Sequence, residues 1–499
     1  MINVSVARTA EYYTSLQYES YLSAENPGVF TGKLAERLGL SGKEVNKEEI
    51  MKYAGEKRVG IDVTVSAPKS VSIAYALGTQ EIREQIKEAY NKAVNSLIRE
   101  IERYVYTRDR TQNAQSLYTK ADALISRFDH FTSRELDPQL HSHLLISNQV
   151  YRGDRFTAIE AREIYRVQHY LDAYFKAELA RELSSRGFAL EVTKDGFEIR
   201  GISREVIDTF SKRSNEIEKA LNDLGLDRSS SSAELRESIA LATRDHKKIV
   251  DLKELQQKWM NELKEKNLSF TIERSKEPQP QLNLDEKLYS VIHKTLEGIS
   301  ALESTVTKEQ FLTELIKNLH ALGYFNFDVN ELKEKVSNYL EKTSQVEKLN
   351  LNGIKREYVF VEEIKNLEEK LDKLVKEAST IGKSFLSEEK AQMLLDKLEK
   401  EGIKLTEDQK NTIYSTLTDK TALHLWQGVA GAGKTFTLSI VARELQNQNY
   451  KIVALASTGK AAEVLANELR EKNIQANAST IDSFLINTER LFREKEIFD

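Results

Sequence analysis

Three of the chain's eight histidines, His130, His141 and His143, fall within fourteen residues, and an Asp137-Pro138 pair stands between the first and the other two. Few patterns restrict a local fold more. Residues i and i+2 of a strand point to the same side, so His141 and His143 project together, about 7 Å apart along the strand. Asp-Pro marks a turn, which brings His130 back beside them on an adjacent strand. Three neutral imidazoles converging on one ion leave coordination positions open, the arrangement of a catalytic centre. Imidazole suits Zn, Mn, Ni or Co, so the donor set does not fix the metal. The chain has no cysteine. Thiolate ligands and disulfides are therefore excluded, and a reducing cytoplasm is the expected setting.

Two further features belong with the histidines. Tyr12, Tyr13, Tyr18 and Tyr21 fall within ten residues of a chain holding 20 tyrosines in 499. A tyrosine oxygen is a useful nucleophile on phosphorus when its proton has somewhere to go. In Gly60-Ile61-Asp62-Val63-Thr64-Val65 the apolar residues share one face of a strand, and Asp62 and Thr64 share the other. Asp62 is placed to orient a histidine or to take a tyrosine proton. The strand leads into Ser66-Ala67-Pro68-Lys69-Ser70, read as a capped helix start with Ser66 as N-cap. Lys69 and Ser70 at that start suggest an anion site for a DNA phosphate.

The length allows two to four domains. Residues 1–270 mix strand-like and helix-like stretches, with a long amphipathic helix expected over 160–187. Lys276-Glu277-Pro278-Gln279-Pro280 holds two of the five prolines and reads as a linker. Residues 271–395 read as this linker and a mainly helical connecting domain, broken near Gly323 and Gly353, with a small strand pair around 357–361. Residues 396–499 read as the first part of a parallel α/β motor domain. The net charge of −5 leaves DNA binding to local basic groups. The candidates are Arg108, Arg110, Lys212, Arg213, Arg244, Lys247 and Lys248. No apolar run is long enough for a membrane span, and no secretion signal is visible at the start.

Gly428-Val429-Ala430-Gly431-Ala432-Gly433-Lys434-Thr435 satisfies the P-loop pattern between an expected strand, 422–426, and a helix. Its backbone N–H groups would cradle phosphates, with Lys434 neutralising them and Thr435 holding Mg²⁺. Gln409 in Leu405-Thr406-Glu407-Asp408-Gln409 looks like the adenine-reading glutamine of superfamily 1 helicases. Ser457-Thr458-Gly459-Lys460 and Ser479-Thr480-Ile481-Asp482 resemble that superfamily's early DNA-contacting motifs. No apolar strand ending in Asp-Glu follows, so the chain is expected to bind ATP without unwinding DNA alone. A truncated or split gene is the expected cause.

Taken in order, Glu11-Tyr12-Tyr13, Thr31-Gly32-Lys33-Leu34-Ala35-Glu36, the Asp62 strand through Ser72, His130 to His143 with Thr132-Ser133-Arg134, and Phe210-Ser211-Lys212-Arg213-Ser214 resemble the relaxase domain of the MobF (TrwC/TraI-like) conjugative relaxases. The resemblance covers about residues 1–270. It implies an α+β domain with a palm-like antiparallel sheet, followed by a helical region and a partial RecA-like P-loop domain. It implies site- and strand-specific nicking of single-stranded DNA at a transfer origin, leaving a 5′-phosphotyrosine and a free 3′-OH. It assigns the nucleophile to Tyr12 with Tyr13 beside it, the metal to His130, His141 and His143, the nearby acid to Asp62, and DNA contact to Arg134. The family's second tyrosine pair falls on Ser20-Tyr21, so one member is missing and Tyr21 or Tyr18 stands in, or only the first pair acts. Bacterial cytoplasm and a type IV secretion coupling protein are the implied setting and partner. Rolling-circle initiators share the chemistry, but their tyrosine usually follows the histidines, whereas Tyr12 precedes them. The competing readings are a helicase fragment and an origin-binding protein that no longer cuts.

Overall fold

The computed structural model describes residues 2–10, 28–109, 117–133, 135–194, 196–212, 221, 223, 252–275, 287–429 and 431–496. The chain divides into two compact units, Met1–Lys365 and Asn366–Asp499.

The first unit is built on a five-stranded antiparallel sheet. Its strands are β1 (Ile2–Ala7), β2 (Val29–Thr31), β3 (Gly60–Ser66), β4 (Ile125–Thr132) and β5 (Pro138–Ser147), in the order β1-β3-β5-β4-β2. Period-two alternation gives the sheet two unlike faces. Ile61, Val63, Val65, Leu144 and Ile146 point to one side and are fully buried there. Against them pack three helices, α1 (Lys69–Leu77), α2 (Gln80–Ile101) and α3 (Gln168–Ser185). Thr79 caps α2 by accepting from Ile82 N, and Ile86, Ala89, Tyr90, Ala93, Val94 and Leu97 follow at helical spacing as its buried stripe. The other side carries a smaller core at one end, including Phe30, Leu34, Phe128 and Leu145. The histidines lie beyond it on the same side. A four-stranded antiparallel sheet formed by Tyr106–Asp109, Leu117–Lys120, Gln149–Tyr151 and Phe156–Glu160 adjoins this assembly.

The expected helix over 160–187 is two helices. A short one, Arg162–Arg166, ends at Val167, whose φ of −96° and ψ of 10° leave the helical region, and α3 starts afresh at Gln168. Val167 is buried at that corner, so burial of its side chain outweighs continuity of the helix. The start of α1 also differs from expectation. Ser66 stays in β3, paired opposite His141, and the N-cap is Pro68 without a side-chain bond.

A hairpin, β6 (Leu190–Thr193) with β7 (Gly196–Ile199), and helix α4 (Leu252–Glu265) complete this part. Residues 287–361 then form α5 (Lys287–Ser300), β8 (Thr305–Thr307), α6 (Lys308–Ala321), α7 (Val329–Lys342), β9 (Val346–Leu351) and β10 (Ile354–Phe360). The three strands form an antiparallel sheet, β8-β10-β9. The β9–β10 turn is Asn352-Gly353 with φ of 53° and 94°, the two positive values a two-residue type I′ hairpin requires. The sequence suggests a connecting domain over 271–395, yet Phe311, Leu315, Leu319, Phe325 and Leu332 join the same core as the main sheet. Amphipathic spacing reveals an apolar stripe but not the surface it meets. Ion pairs tie the two parts. Lys333 Nζ lies 2.6 Å from Glu100, which is 2% exposed and also accepts from Tyr170 at 2.9 Å. Arg181 meets Asp328 at 2.6 Å, and Arg166 meets Glu309 at 3.2 Å.

The second unit contains α8 (Glu407–Thr418), α9 (Lys434–Asn447), β11 (Ile452–Ala456), α10 (Gly459–Glu471) and β12 (Ala476–Thr480). β11 and β12 pair in parallel. The strand expected at 422–426 is not one: among the described residues it has no ladder partner, and Leu425 is 82% exposed. An apolar run needs a neighbouring strand to become part of a sheet, and β11 and β12 pair with each other instead. No helix of the described residues is long and apolar enough to cross a membrane.

His320 of α6 is buried against Phe197, Phe325 and Phe327, and burial lowers its pKa from the usual 6.5 to about 3. Between those values the unfolded chain takes a proton that the folded chain refuses. Stability is therefore lost as pH falls through that window, by about 2 kcal/mol at pH 5. Denaturant titrations at pH 7 and pH 5 should show a loss in wild type that is smaller by about 2 kcal/mol in His320→Phe, because His141, buried with the same shift, still contributes its own. Equal losses in both would contradict it.

Candidate metal centre

The sheet register gathers the three histidines. His130 on β4 stands directly opposite His141 on β5, and His143, two pairs further on, faces Thr64 on β3. A break in register between His130 and Thr132 ends the regular pairing just past the site, a common device for aiming a side chain. The ring centroids are 5.3 Å apart for His130–His141, 5.6 Å for His130–His143 and 5.4 Å for His141–His143. Metal–nitrogen bonds of about 2.1 Å would set such centroids roughly 5 Å apart. As they stand, no three His, Asp or Glu side chains among the described residues are closed tightly enough to hold an ion.

Hydrogen bonds decide which nitrogen of His141 and of His143 is free. His141 Nδ1 lies 2.9 Å from Gln139 O. A carbonyl only accepts, so this nitrogen carries the proton and Nε2 keeps its lone pair. His143 Nδ1 lies 2.8 Å from Asp62 Oδ2, with Thr64 Oγ1 at 3.3 Å. The carboxylate likewise accepts from Nδ1–H, leaving the Nε2 lone pair for an ion. Burial, with His143 beside it, lowers the His141 pKa to about 3, so this ring is neutral and ligand-ready at ordinary pH. Asp62 is 4% exposed, and its other oxygen, Oδ1, accepts no hydrogen bond from a described residue. Donor type and tautomer together suit one divalent ion.

The suggested phosphate site at the start of α1 is occupied by the chain itself. Ser70 N donates to Glu198 Oε2 at 2.8 Å, and Ser70 Oγ accepts from Ile199 N at 2.6 Å. Lys69 Nζ donates to Pro138 O at 3.1 Å and Gln139 Oε1 at 2.7 Å, and burial lowers its pKa to about 8. Both residues thus brace β5 and β7. Arg108 pairs with Glu160, and Lys212 with Asp137 and Glu262. Tyr12, Tyr13, Tyr18, Tyr21, Arg110, Arg134, Arg213, Arg244, Lys247, Lys248 and the 276–280 segment lie outside the described residues.

In the second unit Gly431 and Gly433 have φ of 79° and 77°, a left-handed backbone that glycine adopts without penalty. Gly433 caps α9, whose first residues are Lys434 and Thr435. Lys434 Nζ folds back onto Gly428 O at 2.7 Å and Val429 O at 3.0 Å. Gln409 closes a capping box with Thr406 at the start of α8 and donates to Ala432 O at 3.0 Å, bridging that helix to the loop. Ala430 is outside the described residues.

Sequence reasoning missed the polar residues behind the histidines. Arg127, Asp129 and Ser142 sit at strand positions whose neighbours of like parity are apolar and buried. That break in alternation was the available signal.

The tautomers can be checked directly. In metal-free protein labelled with ¹⁵N-histidine, NMR should show His141 and His143 protonated at Nδ1. Protonation of either at Nε2 would refute the assignment.

Comparison with known proteins places the chain in a family. A family model described as TrwC relaxase matches residues 5–266, and one described as AAA domain matches residues 404–497. The multifunctional conjugation protein TraI of Escherichia coli is 27% identical over 297 residues, 53% of this chain. TraI of strain K12 matches to the same extent. The match spans only 16% of those relatives' length. Among solved structures, the conjugative relaxase TrwC in complex with oriT DNA is similar in its metal-free form, at 31% identity, 54% of this chain, 100% of that chain and a TM-score of 0.49. A metal-bound form gives the same values, and a copper-bound form gives 32% identity with the same coverage and TM-score. With more than half of its 499 residues matched by the family model, the chain belongs to the TrwC relaxase family.

Proposed function

We propose that this chain is a conjugative relaxase that nicks one strand at a transfer origin and holds the new 5′ end on a tyrosine. The observation that carries the reading is the set of three imidazoles on adjacent strands, with Asp62 fixing one of them from behind. TrwC, a relative, is described in complex with oriT DNA and in metal-bound form, which supports both substrate class and metal.

In this reading His130, His141 and His143 hold one divalent ion, and such an ion, when bound, polarises a scissile phosphate and stabilises developing charge. Tyr12 supplies the nucleophile by family pattern, with Tyr13 and Tyr21 as further candidates. Its oxygen forms the new bond to phosphorus as the bond to the 3′ oxygen breaks. Asp62 Oδ1 takes the phenol proton, and the departing 3′ oxygen takes a proton from solvent, so it leaves as a hydroxyl. One phosphodiester is exchanged for another, so the strand can later be rejoined. Residues 1–270 carry this chemistry, 287–361 pack on the same core, and 396–499 contribute the first part of a motor domain. The loop from Gly428 to Thr435 would take ATP once Lys434 exchanges its two carbonyls for phosphate oxygens. A cytoplasmic setting and a type IV coupling protein complete the proposal.

The deciding experiment incubates the full chain with single-stranded oligonucleotides from its own element's transfer origin and Mn²⁺ or Mg²⁺. A covalent adduct should form in wild type, and be lost with chelator, in Tyr12→Phe and in His141→Ala. An adduct surviving Tyr12→Phe would move the nucleophile to Tyr13, Tyr18 or Tyr21. DNA that binds but is never cut would leave an origin-binding protein instead.

A further inference from the structure

We infer that a row of buried polar contacts on the helix side of the sheet sets the spacing of the three imidazoles, with Ser142 and Tyr90 as its positioning residues. The inference rests on the metal-centre reading above. Ser142 lies between His141 and His143 in β5 and points the opposite way, and it is fully buried. Its cross-strand partners are Val65 on β3 and Asp129 on β4. The adjacent rows are Ser66–His141–His130 and Thr64–His143–Phe128. A single row, Val65–Ser142–Asp129, therefore runs between the two rows that carry the imidazoles.

This row is bonded across all three strands by side chains as well as by the backbone ladder. Ser142 Oγ donates to Asp129 Oδ1 at 2.5 Å, since the carboxylate only accepts. Tyr90 OH lies 2.9 Å from Ser142 Oγ and 3.0 Å from Val65 O, so its one proton serves both acceptors. Asp129 is held in turn by Arg127 Nε at 2.8 Å, and Arg127 reaches Asn95 at 3.0 Å and Asn91 at 2.5 Å. Tyr90, Asn91 and Asn95 all belong to α2. One helix thus grips β3, β4 and β5 at the level of the candidate ligands.

Burying these groups is costly compared with the apolar residues that flank them in the same face, Leu144 and Ile146. A fully bonded polar row returns rigidity in exchange. Sheet twist varies between strands by tens of degrees, and a backbone ladder alone tolerates that variation. An ion site does not: splaying the strands that carry the rings weakens the ion's hold. Loss of groups that orient metal ligands typically costs about 10–100-fold in affinity.

The test measures Mn²⁺ affinity of the metal-free full chain by calorimetry, with thermal melts alongside. Tyr90→Phe and Ser142→Ala should each raise the Mn²⁺ Kd about tenfold, and Ser142→Thr, which keeps the hydroxyl, should stay near wild type. Ser96→Ala is the control. It removes another buried bond of α2, from Ser96 Oγ to Tyr174 OH at 2.9 Å, which touches none of the three strands. It should lower the melting temperature and leave the Mn²⁺ Kd unchanged. Wild-type affinity in Tyr90→Phe, or an equal loss in Ser96→Ala, overturns the positioning role. If Ser142→Ala does not fold, Tyr90→Phe decides, because it removes a single oxygen. If the wild type binds no Mn²⁺, the metal-centre reading itself falls.

Discussion

The antiparallel register of β3, β5 and β4 is the constraint on which the candidate centre depends. It puts His130 opposite His141, Thr64 opposite His143 and Ser66 opposite His141. A slip of one residue would turn every imidazole into the helix-packed core and bring Ser142 and Leu144 to the open face. Burial of Ile61, Val63, Val65, Leu144 and Ile146 against α1, α2 and α3 resists that slip. The apolar face thus fixes the polar one, and chemistry on one side of the sheet is secured by packing on the other.

Charge is used within the first unit in a way that composition conceals. Glu100 and Glu163 are almost fully buried, and each is matched by a cation or hydroxyl from another element. Glu100–Lys333 joins α2, and Glu163–Arg356 joins the short helix Arg162–Arg166, to residues 287–361. Such pairs stabilise little relative to apolar packing, because desolvation offsets most of the attraction. Losing one partner is costly, however, so they define which surfaces meet. The same logic explains Lys69 and Ser70: a cation and a helix start in a buried corner are satisfied by the chain's own oxygens.

Much of the candidate centre was legible in the sequence because its signals are local. The H-x-H spacing, the Asp137-Pro138 turn and the alternation around Asp62 each state a face and a neighbour within a few residues. The glycine pattern of the phosphate loop is equally local. Longer-range features were not legible. The helix break at Val167 depends on a corner that buries it, and the absence of a strand at 422–426 depends on which strands pair elsewhere. The Asn352-Gly353 turn was legible by type, but its place in a module sharing the first unit's core was not.

The sequence by itself determined the donor set, its hairpin and the family pattern of tyrosine, acid and histidines, because residue type and period suffice for those. Tertiary structure alone decided which imidazole nitrogen is free, since that depends on Gln139 O and Asp62 Oδ2. It alone decided that Glu198 fills the start of α1, and that Tyr90, Ser142 and Asp129 tie three strands together. The physical reason is common to all of these. Hydrogen bonds between residues scores of positions apart exist only once packing has brought their strands and helices into contact.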